Sequence, residues 1–578
     1  MLTTVPYRWD IHPRAPQKHF DQFPDIQPLV VQILYNRGIF EPQDVHSFLN
    51  GGYAINDPFL LPDMAAAVSE ILTAIENQIP MVVYGDYDAD GVTSTALMMW
   101  VLCRLGANVS AYIPNRFTEG YGLNKKTIAK LADAGTKLIV TVDCGIRSVA
   151  EVAYGNQLGM KFIVTDHHLV GVDDSGAEVL PPAAAVVNPK RRDSRYPFRD
   201  FAGVGVAFKL AQALNRRAPQ NGHAPLDETA LLDLVALGTV ADLVPLVREN
   251  RTLVQRGLKK LQNPASPGIR ALMEVAGATG KSVTAETIGF VLGPRLNAAG
   301  RLKEGMLAYQ LLATDDPIEA RQLAMQLNQI NAERQSMTRE FTDKSLAQFA
   351  DDETLDALYL VTDTEFNPGV VGLVASRLTE MCYRPILVAQ QGETHTRGSA
   401  RSIPEFDITR ALDRCADLLV KYGGHAAAAG FTVENEKLDA FRTRLTAIAR
   451  QSFDVAALRK SLPVDAEVNL RGVRFPLVSA IEAIAPFGHG NPAPVFVSRN
   501  LEVRHHTLVG KEKTHLKMRL FDGKNSWDAI GFGLGKQWNA QQNIPDKIDA
   551  VYALEINRWG GQERLQLKLK DIRPAGTE

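Results

Sequence analysis

"VVYGDYDADGVTS", residues 82–94, sets Asp86, Asp88 and Asp90 at alternate positions and follows them with Gly91. A calcium-binding EF-hand loop also begins D-x-D-x-D-G, but it requires a glutamate at its twelfth position and a helix in front. Here the twelfth position is Leu97, and the preceding "PMVVYG" is an apolar, β-branched run that predicts a buried strand. The EF-hand reading fails on both counts. An Asp-rich turn capping a helix would account for Asp90. It leaves unexplained why carboxylates that repel one another are gathered without a compensating positive charge.

The same strand-then-helix logic continues outward. After "PMVVYG" come helix "GVTSTALMMWVLCRLG", strand "NVSAYIP", helix "NKKTIAKLADAG", strand "KLIVTVD", helix "SVAEVAYGNQLG", strand "KFIVTDH" and then "AAAVVNP", with helices stopping at Gly106, Gly135 and Gly159. The pattern predicts an α/β fold with a doubly wound parallel sheet. Residues 200–310 read as mostly helical. A long helix of about 33 residues, spanning about 50 Å, is expected from Asp315, with Asp316 and Pro317 at its start, as a strut or as an ordinary core helix with a frayed end.

A second α/β region follows, with strands "ALYLVTD", "PILVAQ" and "THTRGSARS", helix "GVVGLVASRLTEMC", a helix over "ITRALDRCADLLVKYGG", and then "HAAAAGF". From about residue 465 the chain alternates strands, the last two joined by the "GG" of 560–561, a hairpin signal. A five-stranded barrel of oligonucleotide-binding (OB) type is expected there. The expected domains are an N-terminal segment 1–50, a catalytic domain with its helical part at 51–314, a connecting helix at 315–352, a second α/β domain at 353–455 and the barrel at 464–578.

The chain's 578 residues suffice for roughly three to four domains. The opening "MLTTVPYRWDIHPR" has no apolar signal-peptide core, and apolar runs such as "ALMMWVLC" are too short to span a bilayer, so a cytoplasmic protein is expected. Cys103, Cys144, Cys382 and Cys415 form no C-x-x-C pair, which leaves buried free thiols as the default. A net charge of −2 argues against indiscriminate polyanion binding, so any nucleic-acid site must be a local basic track.

Ligands of a doubly wound sheet sit outside the carboxyl ends of its strands. There the chain puts Asp86, Asp88 and Asp90, then Asp143 in "VDCG", then Asp166, His167 and His168 in "TDHH"; "ALGTVADLVPL" adds Asp242 from the helical region. Singly, "DHH" could cap a helix, Asp143 could form a turn and Asp242 could pair in a buried salt bridge. Jointly, carboxylates with imidazole point to a pair of Mn²⁺ or Mg²⁺ ions rather than calcium, the histidine leaning toward Mn²⁺.

"GDYDADG", "VDCG" and "TDHH" resemble the signature motifs of the DHH phosphoesterase superfamily. "IPNRFTEGYGL", "FAGVGVAFKL", "ALGTVADLVPL", "GPRLNAAGR", "RGSARS" and "GGHAAAAG" resemble the RecJ family of bacterial single-strand-specific exonucleases, from about residue 50 to 450. The resemblance implies a DHH domain, a DHHA1-type second domain and an OB-like barrel. It also implies degradation of single-stranded DNA 5′→3′ to 5′-mononucleotides in recombination and repair, with a single-strand-binding protein and a helicase as partners. Inactive relatives in eukaryotic replication complexes lose metal ligands, and no such loss is visible here.

By resemblance, Asp88, Asp90, Asp143, His167 and Asp242 are metal ligands, with Asp143 bridging ions about 3.5–4 Å apart. Asp86, Asp166 and His168 are catalytic groups that orient ligands or face phosphate. Arg116, Arg301 and Arg401 become candidate phosphate clamps, against a plain reading as surface ion pairs. Ser399 and the "GGHAAAAG" loop with His425 are candidates for holding the strand's 5′ end, against a tightly packed helix–strand junction. In the barrel, Arg504, His506, Lys511, Lys513, Lys517 and Arg519 suggest a backbone track, with few aromatics nearby to stack bases and a solvated basic face as the alternative. Two rivals remain: a DHH phosphodiesterase acting on short oligoribonucleotides, cyclic dinucleotides or pyrophosphate, and a non-catalytic replication scaffold. A small substrate needs neither barrel nor strut, and a scaffold needs no intact ligand set.

Overall fold

Met81–Tyr84, the strand leading into Asp86, is buried along its whole length, as a run of Met, Val, Val and Tyr covered on both faces must be. In the computed structural model it lies within a five-stranded parallel sheet ordered 109–112, 81–84, 138–142, 161–165, 185–187. Alternate side chains feed opposite faces. Val83, Val140 and Ile163 join the core with helices Met64–Glu76, Ala89–Arg104 and Gly203–Arg217, while Val82, Tyr84, Ile139 and Phe162 pack with Ile128 and Val152 of helices Lys125–Asp133 and Val149–Gln157. The order reverses at the first strand, which has Val109–Tyr112 on one side and Leu138–Val142 on the other. A switch point of this kind opens a crevice at the carboxyl ends of 81–84 and 138–142, and the residues just beyond those ends include Asp86 and Asp143.

The structure describes residues 5–120, 122–349, 356–538, 544–559 and 562–577. It divides into two units: Gln43–Glu333 with Ile484–Pro492, and Met1–Pro42, Arg334–Ala483 and Ala493–Glu578 together. Tyr7–Ile11 pairs in parallel with Lys460–Val464, and the Trp9 indole donates to Asp571 at 2.7 Å, so the chain's start belongs with the second unit. In the first unit Leu246 N donates to the His489 carbonyl at 2.7 Å, which ties in the 484–492 loop. The long helix runs Pro317–Ala347, with Asp316 accepting from Ile318 N at 2.8 Å, and the division falls inside it.

The second α/β sheet is ordered 419–425, 428–434, 395–401, 386–391, 359–363. Here one sequence expectation is corrected. The helix expected over "ITRALDRCADLLVKYGG" covers only Ile408–Asp413, capped by Asp407, and Leu419–His425 is an edge strand paired with Ala428–Glu434. Val420 and Tyr422 favour a strand, and Gly423 and Gly424 weaken any helix. "HAAAAG" is therefore part of a hairpin, not a helix–strand junction. The C-terminal barrel closes as expected: strands 496–509, 515–521, 526–531, 562–574 and 547–559 follow one another, and 496–509 also pairs with 547–559. The "GG" lies outside the described residues, but Trp559 opposes Gln562 across it. Cys144, Cys382 and Cys415 are buried; Cys103, against expectation, is exposed near the end of its helix. Among the described residues no helix is long and apolar enough to cross a membrane.

In the first unit, Lys209 and Glu249 form a fully buried ion pair at 2.7 Å, with the Tyr196 hydroxyl donating to both Glu249 oxygens. Removing one partner strands the other charge, so Glu249→Ala should lower stability by about 3–5 kcal/mol, read from the urea midpoint. An unchanged midpoint would show that the pair does not hold these helices.

Candidate metal centre

Each acid of "GDYDADG" is held differently. Asp88 caps helix Ala89–Arg104, its Oδ1 accepting from Asp90 N at 2.9 Å and Gly91 N at 3.0 Å. Asp90, inside the first turn, is gripped from outside: Gly203 N donates to one oxygen at 2.6 Å and Val204 N to the other at 2.9 Å, both from the start of helix Gly203–Arg217. Those donors carry the positive end of a helix dipole, which suits a carboxylate. Asp86 is buried, and its Oδ1 accepts no hydrogen bond.

Asp143 adopts a left-handed backbone with φ of 61°, which turns the chain sharply after the strand. Its Oδ1 is buried, without hydrogen-bond geometry, 3.1 Å from His167 Nε2. The same Nε2 lies 3.6 Å from Asp242 Oδ2 and 3.9 Å from Asp90 Oδ2. Two groups this close that do not bond one another behave as ligands converging on one point. Overlapping clusters result: Asp86, Asp88 and Asp143; Asp90, His167 and Asp242; and Asp143, His167 and His168, with the donor atoms of each within 4.8 Å of one another. Asp143 joins the first cluster to the third, and His167 joins the third to the second.

The electrostatics call for cations. Burial first, then neighbouring carboxylates, pushes Asp90 up to about 7, Asp242 up to about 9, and Asp86 and Asp143 well above the usual range. Burial pushes His167 down to about 3, so its imidazole is neutral, the form that binds metal. Carboxylates and one neutral imidazole, unable to ionise together on their own, fit a pair of divalent ions of the Mn²⁺ or Mg²⁺ kind.

Asp166 behaves oppositely. Although burial acts to raise it, the bond and charge of His168 bring it down to about 2. Its oxygens accept from Ile146 N, His167 N, His168 N and, at 2.8 Å, His168 Nδ1. It secures the loop that aims His167. The geometry thus sets Asp86 among the potential ligands, while Asp166 faces its own loop and His168 stands between the two groups.

Sequence reasoning missed several supports. A Cβ on Gly203 would stand 2.5 Å from the Asp143 Cβ, and one on Gly238 would stand 2.8 Å from Asp90 Oδ1, so both helices approach the centre only as glycines. Asn297, in "GPRLNAAGR", accepts from Ala89 N at 2.7 Å and anchors the acidic loop. Glu119, in "IPNRFTEGYGL", accepts from Asn115 N at 2.6 Å and the Tyr112 hydroxyl at 2.7 Å, which shapes the loop carrying Arg116. In both strings an arginine is the conspicuous residue, and the uncharged or acidic support beside it carries no local signal. Arg116 lies over Tyr87, 5.2 Å from the ring centroid, and its charge reaches Asp86; Arg301 acts on Tyr87 as well.

The remaining candidates lie in the second unit. Arg401 Nη2 and Ser399 Oγ both face Gly372, 3.0 and 3.4 Å from where its Cβ would be, at the start of helix Val371–Cys382. Arg401, Ala428 and His425 form one cross-strand row, and His425 is exposed. In the barrel, Lys517 and Arg519 share a face, with Lys511 and Lys513 exposed in the adjoining loop. Arg504 pairs with Glu502 at 3.1 Å and Arg519 with Asp528 at 3.1 Å. His506 is not on the Lys517–Arg519 face: it opposes buried Met518, whereas His505 opposes Arg519, because a bulge after Val503 shifts the alternation.

A carboxyl group whose folded pKa is raised binds protons more tightly folded than unfolded. Asp90, at 3.8 unfolded and about 7 folded, therefore makes metal-free protein lose stability as pH rises from about 4 through about 7, and Asp242 extends the loss toward about 9. Mn²⁺ at a hundredfold over its dissociation constant should restore about 2.7 kcal/mol per site. Thermal melts across pH with chelator and with Mn²⁺ test this; a flat metal-free profile would contradict the crowded-carboxylate account.

Comparison with known proteins agrees with this geometry. Residues 80–239 match the DHH family N-terminal domain, 355–451 the DHHA1 domain and 464–571 the RecJ OB domain. The chain is 38% identical over 573 residues to the single-stranded-DNA-specific exonuclease RecJ of Bacillus subtilis, covering 98% of this chain and 70% of that one. To the protein of the same name from Salmonella typhimurium it is 35% identical, covering 95% and 96%. The crystal structure of RecJ in complex with Mn²⁺ from Thermus thermophilus superposes with a TM-score of 0.84 at 29% identity, over 99% of this chain and 80% of that one, and its Mg²⁺ complex with 0.77. With three domain matches in order and this identity along nearly its whole length, the chain belongs to the RecJ family of single-stranded-DNA-specific exonucleases.

Proposed function

We infer that this protein is a metal-dependent exonuclease that degrades single-stranded DNA 5′→3′ to 5′-mononucleotides, in recombination and repair. The observation that carries the reading is the intact ligand set, two carboxylate clusters joined through Asp143 and His167. Divalent ions held there would supply Lewis acidity for activating water and for stabilising the attacking and leaving oxygens of an in-line displacement at phosphorus. Asp88, Asp90, Asp143, His167 and Asp242 hold them, and the position of Asp86 beside Asp88 and Asp143 supports adding it. Asp166 fixes the loop behind His167, and His168 faces the substrate phosphate from the same loop.

Arg116 and Arg301, beside Tyr87, clamp the phosphate near Asp86. Guanidinium suits this because its planar donors meet two phosphate oxygens at once. Ser399 and Arg401, gathered at a helix start, hold the terminal 5′ phosphate with His425 at the rim, and direction follows from which end is held. The barrel's basic face retains the strand between cuts. A single-strand-binding protein and a helicase are the proposed suppliers of substrate, from the resemblance to the family, in a cytoplasmic setting. The barrel argues against a small-nucleotide phosphodiesterase, and the intact centre argues against a scaffold.

End-labelled single-stranded and duplex DNA and RNA, digested with Mg²⁺ or Mn²⁺ and resolved by product, test the reading directly. Asp143→Ala should leave less than about a tenth of wild-type turnover at saturating metal while strand binding persists. Turnover above that would remove the bridging role. Arg401→Ala should slow degradation from free 5′ ends, and circular single strands should resist the wild-type enzyme. Efficient cutting of circles would mean an endonuclease.

A further inference from the structure

The barrel's sequence shows few aromatics among its cations, yet one ring stands out in the structure. Phe532 follows strand Ser526–Gly531 and is 60% exposed, the ring raised on a turn whose next residue, Gly533, takes a left-handed φ of 80°. The turn is secured rather than loose. Gly533 N donates to His515 Nδ1 at 3.1 Å, and the His515 ring meets the Phe532 ring edge-on, 5.2 Å between centroids at 68°. Lys568 Nζ lies 6.0 Å from the same ring.

Register places cations beside it. Leu516 opposes Gly531, so His515 stands across from Phe532, and the next residues on that face, Lys517 and Ile530, oppose one another and adjoin Lys568. Asp528 offsets Arg519 and Glu555 lies 3.9 Å from Lys568, which leaves Lys517 without an acid of its own among the ion pairs of the described residues. Lys517 also opens onto a polar groove of ≈ 380 Å³ lined by Asn557, Gln562, Arg564 and Gln566, with Asp528, the partner of Arg519, at its wall. A ring this exposed, steadied by an imidazole and with Lys568 over it, keeps open surface for a flat partner, and adjacent Lys517 and Arg564 attract phosphate.

We propose that Phe532, braced by His515, is a base-stacking platform, and that the groove from Lys517 to Arg564 carries the backbone of the same single strand. This rests on the exonuclease reading and deepens it by giving the barrel a contact with bases as well as phosphates. Stacking tolerates any sequence, since every base has a π-face, which is what processive degradation needs.

The test uses the full chain. Phe532→Ala should weaken binding of a long single-stranded oligonucleotide roughly 5- to 150-fold, the loss expected when a stacking aromatic is truncated, with an unchanged salt slope and unchanged melting temperature. Lys517→Ala should instead flatten the salt slope. On an abasic strand of equal length, wild type and Phe532→Ala should bind alike. Phe532→Trp should restore affinity, its fluorescence quenched by added strand. Wild-type affinity in Phe532→Ala, or equal loss on normal and abasic strands, would overturn the platform; if that variant instead lost affinity only for an acidic, apolar peptide, the ring would be a protein-docking point. Hydrolysis of very short oligonucleotides by the wild type keeps the exonuclease reading separate, since its failure there would sink that reading and not the platform alone.

Discussion

Asp86, Asp90 and Asp143 crowd into a space shielded from water with Asp242 at its rim, and carboxylates so placed repel one another. At an effective dielectric of about 20, a pair of unit charges 4 Å apart is opposed by about 4 kcal/mol. A fold whose whole stability is about 5–15 kcal/mol cannot leave several such pairs uncompensated. The surrounding structure answers part of the demand: the helix start at Gly203 faces Asp90, and the first turn of helix Ala89–Arg104 satisfies Asp88. What remains is met by divalent cations, so the centre is completed by its ions rather than merely decorated with them.

That demand explains features far from the ions. The helices bearing Gly203 and Gly238 must approach within contact of Asp143 and Asp90, which excludes side chains at both positions. Buried Lys209, on the same helix as Gly203, fastens that helix to Glu249. Asp166 shows the opposite solution for the same residue type. It sits as deeply as Asp90, yet bonds from backbone N–H groups and His168 fully occupy it, so it stays ionised and serves as a brace. Environment, not residue type, separates ligand from support.

The parallel sheet and the acid-bearing strand ends were legible because buried strands must be continuously apolar, and a doubly wound sheet dictates where its ligands go. The barrel was legible from alternation and its closing hairpin. Position within a cluster was not. Both Asp86 and Asp166 read as acids at strand ends; what separates them is the set of donors that folds around Asp166, from the adjacent His167 and His168 and from Ile146 of another loop. Residues 419–424 read as helix because their apolar spacing suits either state, and pairing with Ala428–Glu434 decides it. His506 traded places with His505 through a bulge that no residue between Val503 and His505 announces. Phe532 escaped notice because a lone phenylalanine after a strand is ordinarily core, and its exposure depends on the turn tied to His515.

The formal charge of −2 counts every carboxylate of the centre as an unpaired negative. Two divalent ions turn that into +2, and the added charge appears where a phosphodiester is cut rather than over the surface. Attraction for a polyanion is therefore divided between two sources that respond differently. The positive charge at the centre depends on metal loading, while the attraction proposed for Lys517 and its neighbours on the barrel needs no metal and weakens only with salt. Chelation removes the first and leaves the second, so a strand can be held without being cut. In the proposed function, holding and cutting are thus set by separate residues, which is how a near-neutral chain would bind single strands without adhering to nucleic acid at large.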